Sequence, residues 1–224
     1  DHDEGIPKII WIYWHDERCP KYIENIVNKI KYMNSDHDVF FLNKSTISNY
    51  IDDYMISRDD ISITMKSDLI RLELLKKHGG IWIDSTSMVF KDFSWVHEVG
   101  RNKNFNIIGY FRRESTVDSQ YPVVESWFLA TKKDDSFISA WLEEFKKITL
   151  SGPEAYYNKI SDRSDYSLLS QNIPLPKYLL VYLSCQIVMR SFENFSFYLK
   201  NTDEIGFFYQ EQKHWSSWKI ALVL

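Results

Sequence analysis

The chain has 224 residues, of which 44% are hydrophobic and 16% aromatic, and this excludes a disordered chain because too much apolar surface would be left in water. A net charge of −4 and a pI near 5.9 exclude the basic footprint selected by duplex nucleic acid. No apolar run reaches the ~20 residues of a membrane-spanning helix, and Cys19 and Cys185 are too few for a disulfide framework.

A reducing, cytoplasmic setting is therefore expected, and no signal-peptide pattern follows Asp1. Neither an internal repeat nor a linker rich in Gly, Ser or Pro is present, so a single domain over 1–224 is expected. The β-branched and aromatic run from Ile6 to Trp14, with Pro7 near its start, predicts a buried strand. Apolar residues at Tyr22, Ile26, Ile30 and Met33 predict a helix over 21–33, and Asp38 to Leu42 predicts a second strand. A further helical stretch is expected over 45–56, opened by Asn43 or Ser45.

The most informative segment runs from Lys66 to Thr86. Ser67 reads as a helix cap, apolar residues recur at Leu69, Leu72 and Leu75, and Lys76, Lys77 and His78 fill the last turn. Gly79-Gly80 reads as a left-handed stop, after which Ile81-Trp82-Ile83 forms a strand ending at Asp84. Further strands are expected at Ser87 to Phe90, Phe105 to Phe111 and Ser126 to Ala130, and helices over 134–148 and about 177–191. This order predicts an α/β fold with a mixed, mainly parallel sheet flanked by helices. In such sheets ligands bind beyond the carboxyl ends of strands, where Asp84 stands.

Asp68 and Arg71 share a helix face, and by themselves they read most simply as a surface ion pair. Asp84, ending an apolar strand, needs a cation partner if it is buried. Trp218 reads by itself as core, His214 as a surface histidine, Cys185 as an inert buried thiol, and Glu125 as a solvated residue at the start of a strand. The aromatic, basic stretch from Lys177 to Arg190 reads as a core helix, with contact at the inner face of a membrane as the alternative.

The pattern Ser67-Asp68-x-x-Arg71, leucine-rich helix, Gly79-Gly80, Ile81-x-Ile83-Asp84 resembles the DXD-containing glycosyltransferases of the GT-A fold. Within them it is most similar to the capsular polysaccharide synthesis proteins and their relatives, the yeast mannosyltransferase-like family and the clostridial glucosylating toxins. Ile6 to Trp11, Glu125 to Ala130 and His214-Trp215-Ser216-Ser217-Trp218 resemble, in order, that family's first strand, acceptor-side strand and closing motif. The resemblance implies a retaining transferase that moves a hexose from a UDP-sugar to a saccharide acceptor, with a lipid-linked one expected, in bacterial surface polysaccharide synthesis.

It further implies that Trp11, Tyr13 and Trp14 hold the nucleotide base, while Asp68 and Arg71 hold the donor sugar and phosphate. Asp84 and His214 would ligate Mn²⁺ or Mg²⁺, Ser216 and Trp218 would touch the leaving diphosphate, and Glu125 would face the acceptor or the anomeric centre. One departure stands out: Asp84-Ser85-Thr86 replaces Asp-x-Asp, so Thr86 leaves the metal one charged ligand short. Two alternatives stay open at this point. One is a non-catalytic sugar-nucleotide-binding or scaffold subunit, and the other is a glycoside hydrolase using Asp68 and Asp84.

Overall fold

The computed structural model describes residues 5–52, 57–101 and 103–205. Strands β1 (Ile9–Tyr13), β2 (Asp38–Leu42), β3 (Gly80–Ile83), β4 (Ile107–Phe111), β5 (Val124–Thr131) and β6 (Phe197–Asn201) form one sheet in the order β2-β1-β3-β5-β4-β6. β1 pairs in parallel with β2 and β3, and β4 with β6, whereas β5 runs against both β3 and β4. The α/β class and the mixed, mainly parallel sheet are thus as the element order predicts. The helices are α1 (Lys21–Met33), α2 (Ile63–His78), α3 (Ser94–Gly100), α4 (Ser136–Phe145), α5 (Lys147–Ser151), α6 (Pro153–Ser161), α7 (Tyr166–Ser170), α8 (Leu180–Ser191) and α9 (Thr202–Ile205). Among the described residues no helix is long and apolar enough to cross a membrane.

Alternation along each strand supplies both faces of the sheet. Ile10, Ile12, Ile81, Ile83 and Phe128 pack with Ile23, Val27 and Ile30 of α1 and Val96 of α3. Trp11, Tyr13, Trp82 and Leu129 pack on the other face with α2, α4 and α8. A strand covered on both sides has no reason to alternate in polarity, which is why Ile9 to Tyr13 reads as an unbroken apolar run.

α2 begins earlier than Ser67 implies. Ser62 is its cap, with the hydroxyl accepting the Met65 N–H at 3.3 Å, so Ser67 lies inside the helix. Leucines and isoleucines surround the axis, and the helix is buried on nearly every side, Lys66, Asp68 and Arg71 included. The reading of Asp68 and Arg71 as a solvated pair is therefore corrected: tertiary packing removes that helix face from water.

Gly79 (φ +66°) ends α2, its N–H donating to the Leu75 carbonyl at 2.8 Å, and Gly80 (φ +95°) opens β3. A Cβ on Gly80 would stand 2.7 Å from the Ile9 backbone carbonyl, in a conformation that L side chains rarely adopt. Gly80→Ala is therefore expected to destabilise the fold by about 2–3 kcal/mol, read as a lowered urea midpoint with an unchanged m-value.

Other boundaries differ from the sequence expectations for identifiable reasons. Ser87 to Phe90 is not a strand, because β3 is already paired on both edges and the Ser87 N–H closes a turn onto the Asp84 carbonyl at 2.9 Å. The stretch expected as a helix over 45–56 holds a 3₁₀ turn at Ile47–Asn49, and 53–56 lie outside the described residues. The helix expected over 134–148 divides into α4 and α5. Its cap is Asp135, whose Oδ1 accepts the N–H groups of Phe137 and Ile138 at 2.9 and 3.0 Å. The sequence reading missed β6, a short edge strand of half-buried and exposed residues with no clear alternation.

Candidate active site

The β1, β3 and β4 strands run in one direction, so their carboxyl ends share one edge of the sheet, and Asp84 follows directly after β3. α2 lies against this edge and brings Asp68 and Arg71 to Asp84. Arg71 donates from Nη1 to Asp68 Oδ1 at 2.6 Å and from Nη2 to Asp84 Oδ1 at 2.8 Å. Trp82 Nε1–H donates to the same Asp84 oxygen at 2.7 Å, and the guanidinium lies 5.1 Å from the Trp82 ring centroid. Asp68 and Arg71 have only 9% and 4% of their side chains exposed, whereas Asp84 keeps 34%. The three residues singled out in sequence thus form one constellation, sealed on the helix side and open at Asp84.

Two carboxylates share one guanidinium, so the group carries a net negative charge when fully ionised. Burial pushes the Asp68 carboxyl up to about 6 against the pull of Arg71, and the Asp84 charge adds to the rise. The ordinary value is 3.8, so between about 4 and 6 the folded chain holds a proton that the unfolded chain has released. The contribution of Asp68 to stability is then fully present below about pH 4 and is lost as pH rises through about 6. Asp68→Asn removes the titration. Wild type should gain stability relative to Asp68→Asn on moving from about pH 7 to about pH 4, as measured by urea midpoints.

Glu125, the second residue of β5, is buried rather than solvated and accepts the Tyr182 hydroxyl at 2.6 Å. Burial raises its pKa, partly offset by the bond from Tyr182 and the charge of Arg112, while Asp203 and Asp84 push it further up. Tyr182, on α8, is a site residue that sequence reasoning missed. The available signal was general: a tyrosine in a buried helix needs a partner for its hydroxyl. α8 packs against α4, where Trp141 Nε1–H donates to the Val181 carbonyl and to Ser184 Oγ, both at 3.0 Å. Its apolar side chains thus face the core, which favours the core-helix reading over a membrane-facing one.

The aromatic residues of β1 divide. Trp11 is 1% exposed, is stacked on Phe40 at 4.9 Å, and donates its indole N–H to the Gly79 carbonyl at 2.8 Å. Tyr13 is likewise buried, with its hydroxyl bonded to His15 Nδ1 at 2.9 Å and its pKa pushed up to about 12 by burial. The expectation that Trp11 and Tyr13 stack on a base is corrected, because the α2 face of the sheet encloses both rings. Trp14 just beyond the strand is half-buried, and its indole N–H has no partner among the described residues. His214, Ser216 and Trp218 lie outside the described residues.

Among the described residues no three His, Cys, Asp or Glu side chains converge on a metal position. The donor chemistry at Asp84 still suits a hard divalent cation held mainly by a substrate. Oδ1 accepts two bonds, Oδ2 has no protein partner among the described residues, and the side chain is one-third exposed. Mg²⁺ and Mn²⁺ sites of this kind use one or two carboxylates and fill the rest with phosphate and water. Thr86 is exposed and faces a separate hollow of about 360 Å³ beside Tyr22 and Asn25 of α1.

This is an α/β domain with an acid–guanidinium–acid cluster at a strand's carboxyl end. The family model for the capsular polysaccharide synthesis protein matches residues 1–174, and the chain belongs to that family. It is 30% identical over 166 residues to O-glycosyltransferase braB of Annulohypoxylon truncatum, a match covering 66% of this chain and 39% of that protein. The chain therefore spans about two-fifths of the length of that relative. The solved structure of PaToxG glycosyltransferase aligns with a TM-score of 0.46 and 15% identity, over 84% of this chain and 79% of that one.

Proposed function

We propose that the protein is a retaining glycosyltransferase that moves a hexose from a UDP-sugar to a saccharide, lipid-linked in its biological setting, during surface polysaccharide synthesis. The single observation that carries this reading is Asp84. It is fixed through one oxygen by Arg71 and Trp82 and open through the other, at the carboxyl end of β3. Asp84 would hold a Mn²⁺ or Mg²⁺ ion through its open oxygen, and Trp14 offers the remaining aromatic surface for the base. The ion, when bound, stabilises the negative charge that grows on the departing diphosphate.

The chain's own groups do the rest. Arg71 keeps Asp68 and Asp84 in register, so the negative field is already in place before substrate arrives. Asp68 complements the positive charge that develops on the sugar ring as the anomeric bond breaks. Glu125, held by Tyr182, is assigned to the acceptor or the anomeric centre. UDP release with a panel of UDP-hexoses, with and without Mn²⁺, tests the reading. Mn²⁺-dependent release with at least one donor is expected, and no turnover together with no thermal shift by UDP would overturn it.

A second reading, a sugar-nucleotide-binding subunit without catalysis, draws on Thr86, which takes the place of the second acid. Metal-independent UDP binding without release would favour it. Hydrolase chemistry with Asp68 and Asp84 is disfavoured, because one guanidinium ties both carboxylates together instead of leaving them on opposite sides of a bond.

A further inference from the structure

A second concavity lies on the same edge of the sheet. β4 and β6 are parallel, with Phe111 in register with Asn201 at their carboxyl ends. Beyond those ends is a hollow of about 340 Å³ lined by Phe111, Arg113, Thr116, Val117, Ser119 and Asn201. That volume is at the lower end of the ~300–1,000 Å³ typical of small-molecule sites. β5 lies between β3 and β4, so Glu125 stands between the Asp84 cluster and this hollow. Asp84 follows β3 on one side of β5, and Arg112 and Asp203 follow β4 and β6 on the other.

The walls are held from several directions. Thr116 Oγ1 donates to the Arg112 carbonyl at 2.8 Å and accepts the Val123 N–H at 2.9 Å. Gln171 Oε1, between α7 and α8, accepts the N–H groups of Val117 and Asp118 at 2.7 and 2.9 Å. The Asn172 N–H donates to the Ser115 carbonyl at 3.1 Å. The hollow is therefore formed before any ligand arrives.

Its chemistry is selective. Of the acids beside it, Glu114 lies 3.9 Å from Arg112, and Asp203 accepts the Glu114 N–H through Oδ2 at 3.2 Å while its buried Oδ1 has no hydrogen-bond partner among the described residues. Among the described residues Arg113 has no ion-pair partner and is the one charged side chain in the lining. Phe111 offers an aromatic face and Ser119 a hydroxyl, the pair of features that a sugar ring with C–H and O–H faces requires.

We infer that this hollow is a subsite for an acidic sugar residue of the acceptor, with its carboxylate paired to Arg113 and its ring against Phe111. The inference deepens the proposed transferase reading by naming the acceptor class. A planar guanidinium matches a carboxylate in a two-pronged arrangement, which gives orientation as well as attraction.

Titration of the full chain with methyl β-D-glucuronide and, separately, methyl β-D-glucoside, followed by NMR without nucleotide, tests it. The glucuronide should saturate, and the glucoside should bind about tenfold more weakly. Arg113→Gln should erase that difference while leaving the melting temperature and the glucoside response unchanged. Equal binding of the two sugars, no saturation by the glucuronide, no effect of Arg113→Gln, or equally effective displacement by inorganic phosphate would each overturn it. UDP binding measured on the same sample separates the two ideas. Retained UDP binding without a glucuronide response removes the acidic-acceptor inference alone, and the converse removes the donor reading.

Discussion

Arg71→Met is expected to lower the stability of the fold by about 3–5 kcal/mol, the usual penalty for leaving a buried charge without its partner. The methionine fills much of the volume, so the loss reports charge rather than a cavity. Asp68, 9% exposed at its side chain, would keep Asp84 as its nearest charge, and Asp84 Oδ1 would keep only the Trp82 indole as donor. The effect should be largest near neutral pH and shrink towards about pH 5, where Asp68 takes up its proton. Arg71→Lys should fall between the two, because an ammonium restores the charge but cannot fork to two carboxylates. Urea melts of the three proteins at both pH values measure this, and a loss below about 1 kcal/mol for Arg71→Met would show that water reaches the cluster.

Asp84→Asn is expected to reduce UDP release by at least about a hundredfold while leaving stability within about 1 kcal/mol of wild type. The amide oxygen still accepts from Arg71 and Trp82, so the local geometry has its hydrogen bonds, but the negative charge offered to a cation is gone. Asp68→Asn, by contrast, should lower turnover more than UDP affinity, since the proposed contact of Asp68 is with the sugar. Equal loss of UDP affinity in both variants would remove that division of roles, and turnover within about tenfold of wild type in Asp84→Asn would remove Asp84 as the cation-facing group.

Part of this site was legible before any fold was known. Asp68 and Arg71 are three residues apart on one helix, and only Gly79 and the four-residue strand Gly80–Ile83 separate that helix from Asp84. Such a short connection folds the strand end back beside the helix, so local geometry nearly dictates the encounter. Glu125 was legible as a residue and misread in its environment. Its partner Tyr182 lies 57 residues away on a helix whose orientation no local pattern records. Trp11 shows the opposite failure. The family resemblance implied a ligand contact for it, yet the indole N–H satisfies the Gly79 carbonyl and the ring fills the core.

The amino-acid sequence by itself determined the α/β order, α1 and β2 at their observed bounds, the glycine turn between α2 and β3, and the adjacency of Asp68, Arg71 and Asp84. These depend on contacts between residues close along the chain, where periodicity and turn chemistry are strong constraints. The tertiary structure alone decided that α2 is enclosed, that Asp68 titrates near 6, that Tyr182 meets Glu125, and that Arg113 faces a hollow beside β6. Burial and electrostatic environment are properties of which distant segments pack together, and desolvation acts on a side chain only after that packing has formed.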